Sequence, residues 1–226
     1  VLAESLRENK TIRGLKLRSC FIKSVMSVHV IVNGLKESQQ LESLCLSNNK
    51  VDTSDLEGLM ELLRENYSLY ELDLSCNYMK EAGAIAFSEV LENNFTLKRL
   101  DLEDNHIADG SISDKGIVAL ANSLKDHPSV YYVNLRQNAI GAKGSEALLK
   151  MMEENYMITT LEVEETRPNA IVGNNIKVEM MQRIKELVER NRNAVKKTAE
   201  YLKEKCLEAG NIGEKLDLGR VKHYQR

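Results

Sequence analysis

Four histidines are the first residues to test for chemistry in this 226-residue chain: His29, His106, His127 and His223. None stands at metal-ligand spacing, and none has a cysteine or carboxylate array beside it. Gly141-Ala-Lys-Gly-Ser145 has the residue types of a phosphate-cradling loop. It lacks the G-x-x-x-x-G-K-S/T register such a loop needs to wrap its amides around a phosphate. Asp109, Ser111, Ser113 and Asp114 gather oxygens as a calcium loop would, but without the closing glutamate or the ligand register of an EF-hand. These patterns predict no catalytic residue, no metal and no cofactor. The chain is expected not to be an enzyme.

The bulk properties narrow the classes further. The charged fraction of 29% and the apolar fraction of 42% are ordinary for a globular chain. The most apolar stretch, Val25 to Leu35, is interrupted by Ser27, His29 and Asn33, and is short of the ~20 residues a spanning helix needs. The N-terminus, Val1-Leu-Ala-Glu-Ser, has no basic segment before an apolar one, so no signal peptide is expected. Cys20, Cys45, Cys76 and Cys206 lie far apart without C-x-x-C pairing, which suits free thiols in a reducing compartment. Three N-x-S/T sequons (Asn9, Asn66, Asn94) share one phase, just past a predicted helix. They are read as helix-end turn chemistry rather than glycosylation sites.

The elements that must position any functional group repeat along the chain. Leu69-Tyr-Glu-Leu72-Asp-Leu74-Ser-Cys-Asn77-Tyr-Met79 and Leu97-Lys-Arg-Leu100-Asp-Leu102-Glu-Asp-Asn105-His-Ile107 share one spacing. The first positions of successive units are Ile12, Leu41, Leu69, Leu97, Val130 and Ile158, separated by 29, 28, 28, 33 and 28 residues. The long interval places about five extra residues within Asp109–Asp114, between strand and helix. Each unit opens with a period-two core (Leu15/Leu17, Leu44/Leu46, Leu72/Leu74, Leu100/Leu102, Val133/Leu135, Leu161/Val163), a short strand with one buried face. It closes at helical spacing: Leu56, Leu59, Met60 and Leu63, then Ile85, Ala86 and Val90, then Val118, Leu120, Ala121 and Leu124. A strand and a helix repeated in this way predict parallel strands on a concave face and helices on the convex one, stable only as a stack.

The ninth position is Asn49, Asn77, Asn105 and Asn138, with Cys20 in the first unit and Thr166 in the last. A buried amide there can satisfy the backbone groups that the chain orphans on leaving the strand. Repeats are expected over 1–174. The chain opens in mid-repeat with Leu2, Leu6 and Glu8-Asn9, as a piece of a longer protein would. Residues 175–208 are expected to form a helical cap, first through Val178, Met181, Ile184, Leu187 and Val188. A narrow stripe of Val195, Ala199, Leu202 and Cys206 should then either dock on that cap, the favoured reading, or form a seam for another helix. A polar tail, 209–226, follows.

The pattern L-x-x-L-x-L-x-x-N-x-(I/L), continued by G…A…L…L…N at 28 residues, resembles the ribonuclease-inhibitor class of leucine-rich repeats. Tyr70 to Asn77 with Glu81-Ala-Gly83, and Asn134 to Asn138 with Gly141 to Gly144, carry the resemblance most clearly. It covers residues 1 to roughly 190. The resemblance implies an α/β curved solenoid and a protein-binding role, since that class includes nuclease inhibitors, immune-sensor receptor ends, tropomodulins, ciliary complex subunits and Ran GTPase activators. The segment Gly173-Asn-Asn-Ile-Lys-Val-Glu-Met-Met181 with Leu187-Val-Glu-Arg-Asn191 is similar to the end of tropomodulins and of axonemal members. The activator members imply a rival reading in which Arg18 or Arg136 acts on a small GTPase.

Function should lie in the outward strand positions. The central column reads Lys16, Cys45, Asp73, Asp101, Asn134, Glu162; before it run Gly14, Ser43, Glu71, Arg99, Tyr132, Thr160; after it Arg18, Ser47, Ser75, Glu103, Arg136, Glu164. The expected partner site is Glu71, Asp73, Arg99, Asp101, Glu103, Tyr132, Asn134, Arg136 and Glu162 on this face, with Asp109 and Asp114 on the rim. Residues 177–226 carry 13 Lys+Arg against 8 Asp+Glu, leaving 18 against 26 for the rest. An acidic concavity would steer a basic protein surface and repel nucleic acid. No membrane contact is expected. A cytoplasmic scaffold in a larger cytoskeletal or ciliary assembly is the expectation.

Overall fold

The computed structural model describes residues 2–22, 25–35, 38–108, 113–164 and 174–208. Six three-residue strands, β1 (Gly14–Lys16), β2 (Ser43–Cys45), β3 (Glu71–Asp73), β4 (Arg99–Asp101), β5 (Tyr132–Asn134) and β6 (Thr160–Glu162), form one parallel sheet in sequence order. Every register is in phase: Leu15, Leu44, Leu72, Leu100, Val133 and Leu161 stand side by side. The helices are α1 (Leu2–Glu8), α2 (Val25–Leu35), α3 (Leu56–Glu65), α4 (Lys80–Leu91), α5 (Lys115–Lys125), α6 (Ala142–Glu154) and α7 (Val178–Glu208). This is a curved leucine-rich-repeat solenoid, strands concave and helices convex.

The second leucine of each strand core falls just past its strand and is still held by the ladder. Leu46 N–H donates to Asp73 O at 2.8 Å and Leu74 N–H to Asp101 O at 2.9 Å. One apolar core runs from Leu6 to Val188 without a break, because each unit's leucines are covered only by the next. Helix phases follow the sequence less closely. In α4 the buried residues are Gly83, Ala84, Phe87, Ser88, Val90 and Leu91, whereas Ile85 and Ala86 are only partly buried. α4 packs through small residues, so its neighbours come close and Phe87 fills the space between. The helix-opening glycines are close-approach positions: a Cβ on Gly116 would meet Ile107 O at 2.7 Å.

Two asparagine ladders hold the turns. On the strand side, Asn77 Oδ1 accepts from Asn49 N–H and Val51 N–H, both at 3.0 Å, and its Nδ2 donates to Leu46 O and Leu74 O. Asn49 and Asn138 repeat the paired acceptance, from Cys20 and Ile22 N–H and from Asn105 and Ile107 N–H, and Asn105 accepts from Met79 N–H and donates to Leu74 O. Flanking residues pay in backbone strain: Asn48, Lys50, Asp104, His106, Gln137 and Ala139 all have positive φ. In the sixth unit this role belongs to Asn174, which accepts from Asn138 N–H and Ile140 N–H and donates to Leu135 O and Val163 O. Thr166, expected there from the spacing, lies outside the described residues. Val163 is eleven positions before Asn174, where Leu74 is three before Asn77, so eight inserted residues displaced the motif.

On the helix side, Asn66 and Asn94 cap their own turns. Asn66 Oδ1 accepts from Ser68 and Leu69 N–H, and Asn94 Oδ1 from Thr96 and Leu97 N–H. Their amide nitrogens reach back one unit, to Ser38 O at 2.9 Å and Leu63 O at 2.8 Å. These two sequon asparagines are therefore buried donors of the scaffold. His127 stands in the same place one unit on. Its Nδ1 accepts from Val130 N–H at 3.2 Å and its Nε2 lies 2.7 Å from Asn94 O.

α7 closes the last unit. Ile184, Leu187 and Val188 are buried against it. Arg190 donates to Met152 O, Glu153 O and Asn155 O; Asn191 to Asn155 O and Ile158 O; Arg192 to Thr159 O. Three consecutive side chains thus replace the backbone donors a further unit would bring. Val178, expected in the buried stripe, is 80% exposed, because α7 reaches the core only from Met181 onward. Along the second stripe Val195 and Ala199 are partly buried and Leu202 is exposed, while the Cys206 side chain lies outside the described residues.

Candidate functional site

The in-phase registers align two of the three columns expected from the sequence; the third, from Arg18 to Glu164, falls just past the strand ends. Glu71 faces Arg99, which faces Tyr132; Asp73 faces Asp101, which faces Asn134. Side chains across a parallel ladder sit close enough to pair, and here they do. Arg99 Nε is 3.0 Å from Glu71 Oε1, and its guanidinium lies 4.0 Å from the centroid of the Tyr132 ring. Arg136 pairs with Glu162, and its own Nε is buried without an acceptor.

Asp73 and Asp101 differ from the other acids. Asp73 accepts from Ser75 N–H at 2.9 Å, Ser75 Oγ at 2.7 Å and the Cys45 thiol at 3.0 Å. Asp101 accepts from Glu103 N–H at 3.1 Å and Asn134 Nδ2 at 3.2 Å, and that amide also reaches Glu103 Oε2 at 3.1 Å. Every partner of Asp73 and Asp101 among the described residues is neutral. Burial raises the Asp101 carboxyl above the usual range, and the charges of Asp73 and Glu103 push the same way against the opposing hydrogen bonds. Burial also raises the Cys45 thiol. The Tyr132 hydroxyl is pushed up to about 12, by burial first and by Asp101 and Glu162 next.

These groups surround a hollow of about 320 Å³ floored by Leu44 and Leu72 and reached by Lys16, Arg18, Asp73, Arg99, Asp101 and Tyr132. It is open and mixed in polarity, a shape for an inserted side chain rather than an enclosed small-molecule site. Arg18 is exposed at its edge. Glu164 is exposed and paired with Lys185 of α7.

The rim differs from expectation. Asp109 lies outside the described residues. Asp114 is buried, and its two oxygens accept from Gly141 N–H and Gly144 N–H at 2.8 Å each. Each oxygen is engaged by the next unit's helix start and the side chain is buried, which makes Asp114 part of the scaffold. Ser113 Oγ donates to the Glu81 carboxylate, across to the previous unit.

One surface was missed in the sequence. Tyr67, Phe95 and Tyr156 are 76%, 61% and 59% exposed, each one residue after a helix-end asparagine. Recurrence at one phase was the available signal. Among the described residues no group of three His, Cys, Asp or Glu could hold a metal ion, and no helix is long and apolar enough to cross a membrane.

Comparisons with known proteins agree on the architecture. A leucine-rich-repeat family model matches residues 93–121, which span β4 and the start of α5. No curated protein matches the sequence. Among solved structures, the Leiomodin-1 Actin-Binding Site 2 domain is 14% identical with a TM-score of 0.53, covering 91% of this chain and 95% of that one. The tropomodulin C-terminal domain of Caenorhabditis elegans is 16% identical with a TM-score of 0.49, covering 88% and 95%. At such identities the likeness is one of fold. The repeat match and the structural likeness together give a leucine-rich-repeat fold.

Proposed function

We propose that this chain is a non-enzymatic protein-binding module of the ribonuclease-inhibitor type, working within a larger cytoskeletal assembly. Its concave face takes a basic protein surface. The observation that carries this reading is the pair Asp73 and Asp101, adjacent across the ladder and met only by neutral donors. The other acids of the face are largely matched internally, Glu71 by Arg99 and Glu162 by Arg136. A cation arriving from a partner would pair with two carboxylates that meet neutral donors among the described residues. Tyr132, stacked on Arg99 beside this pair, is of the type that anchors interfaces. The structurally similar leiomodin domain is an actin-binding site, which suggests an actin-related setting for this chain, in the cytoskeleton or a ciliary axoneme. Asp109, on the rim insert, is assigned a secondary contact. Residues 1–174 carry the repeats and 175–208 the cap.

The rival is a GTPase activator using Arg18 or Arg136. Arg136 is engaged with Glu162, which leaves exposed Arg18 as the group for that role. Nucleotide hydrolysis by small GTPases, measured with and without the protein, separates the readings. Unchanged rates are expected; acceleration abolished by Arg18→Ala would replace the binding reading with the catalytic one.

A further inference from the structure

The hollow on the concave face follows from small side chains on one strand. β2 turns Ser43 and Cys45 into it, and β1 beside them places Gly14, where an added Cβ would meet nothing within 4 Å. β3, β4 and β5 carry acids, Arg99, Tyr132 and Asn134 at the matching positions. The space above β2, about 320 Å³, is therefore walled on both sides by longer side chains.

The two walls carry opposite charge. Lys16, on β1, and Arg18, just past it, are exposed, and neither forms an ion pair with a described residue. Asp73 and Asp101 line the other side and meet only neutral donors among the described residues. Glu71 and Arg99, also at the hollow, are matched to each other. Lys16 and Asp73 are two strands apart, roughly 10 Å between backbones at ~4.8 Å per strand. Cys45 stands between them with its thiol on Asp73. A partner cation seated on Asp73 would thus come within about a Debye length, ~8 to 10 Å, of Lys16. That neighbour repels a surface that is basic throughout, and like charges so placed reject a wrong partner. A carboxylate set over Lys16 and Arg18 turns the repulsion into attraction.

We infer that the hollow takes an extended segment of a partner protein bearing an acidic and a basic side chain two positions apart, the acid against Lys16 and Arg18 and the base against Asp73 and Asp101. This rests on the concave-face reading and narrows it, from a basic surface to an ordered pair of opposite charges. Side chains two positions apart in an extended chain share one face at ~6.8 Å. The flexible stems of Lys16 and Arg18 take up the remaining few ångströms. A helix, ~10 to 12 Å across with its side chains, is too broad for a floor one small-residue strand wide.

Peptides selected from a random displayed library against the full chain at low ionic strength supply the probe. The strongest binder, synthesised with acetylated and amidated ends, is expected to carry Asp or Glu two positions from Lys or Arg. Replacing its acid by the matching amide should weaken binding to the wild type at least tenfold and leave binding to the Lys16→Ala/Arg18→Ala chain unchanged. Replacing its base by norleucine should weaken binding to the wild type as much and leave binding to the Asp73→Asn/Asp101→Asn chain unchanged. Urea unfolding of each variant checks that it is folded; Lys16 and Arg18 are exposed, and asparagine keeps the acceptors of Asp73 and Asp101. A binder that is basic throughout, needs Asp73 and Asp101 and ignores Lys16→Ala/Arg18→Ala overturns this inference and leaves the concave-face reading standing. A binder indifferent to Asp73→Asn/Asp101→Asn overturns both. An acid and base required four positions apart, as on a helix, or a library that yields no shared sequence, overturns the inference.

Discussion

His127 gives the scaffold a pH dependence that its neighbours in the same ladder lack. The ring is 3% exposed, with Nε2 2.7 Å from Asn94 O and Nδ1 facing the N–H groups of Val130 and Ser129 at 3.2 and 3.4 Å. That geometry requires the neutral ring protonated on Nε2: one nitrogen donates to a carbonyl and the other accepts from backbone amides. A second proton on Nδ1 would point at two donors and place a charge in the interior. Burial accordingly lowers the His127 pKa below its ordinary value of 6.5, outweighing the opposing backbone hydrogen bonds.

The sign follows from proton counts. Below pH 6.5 the unfolded chain binds a proton that the folded chain refuses. The stabilisation is therefore complete above that pH and declines as pH falls toward the folded pKa. The slope approaches about 1.4 kcal/mol per pH unit. His127→Asn isolates the effect, because Asn94 and Asn155 do the same work at the same spacing with an amide that does not titrate. Urea unfolding of wild type and His127→Asn from pH 8 to pH 5 should give stabilities within about 1 kcal/mol at pH 8. The curves should diverge below pH 6.5, with the wild type losing more. All other groups cancel in the difference. Identical pH slopes for the two proteins would refute the assignment of the ring as a buried neutral acceptor.

Two other substitutions probe the ladders. Asn77→Ala removes one amide that serves five backbone groups at 2.8 to 3.2 Å, and should cost roughly 3 kcal/mol or more in urea unfolding, since several buried polar groups lose their partner together. Arg190→Ala frees the carbonyls of Met152 and Glu153 and removes the stacking on Tyr156 at 4.0 Å. Hydrogen exchange should quicken in α7 and at the end of α6 while α3 and α4 keep their protection, because units in a stack couple mainly to their neighbours.

The strand half of each unit was legible because period two has one solution: with leucines inward, the residues between them must face out, and both strand columns follow. The helical half was less so. Ile85 outranks Ala84 in apolarity, yet Ala84 is buried and Ile85 only partly so, because close approach selects small side chains that carry little hydrophobic signal. The sixth asparagine was hidden by an insertion. Asn174 occupies the site in space that Thr166 holds in the count, and counting cannot see where an inserted loop returns. Residue types placed Glu71, Arg99, Glu162 and Arg136 on one face, but which charges cancel is decided by side chains 26 and 28 residues apart meeting across the ladder. That cancellation singles out Asp73 and Asp101. Asp114 read as a rim acid because nothing in the sequence marks the amides of Gly141 and Gly144 as its partners.

The central claim is that Asp73 and Asp101 receive a partner's positive charge. Asparagine is the informative replacement at both positions, since it keeps an acceptor for Ser75 and for Glu103 N–H and removes only the charge. A partner recovered by photo-crosslinking from position 132 of the full chain, then titrated against wild type and the Asp73→Asn/Asp101→Asn variant, gives the measurement. The account predicts an affinity at least tenfold weaker for the variant, about 1.4 kcal/mol, with the gap narrowing as added salt screens the charges. Equal affinities at low ionic strength, with both proteins folded, would contradict it.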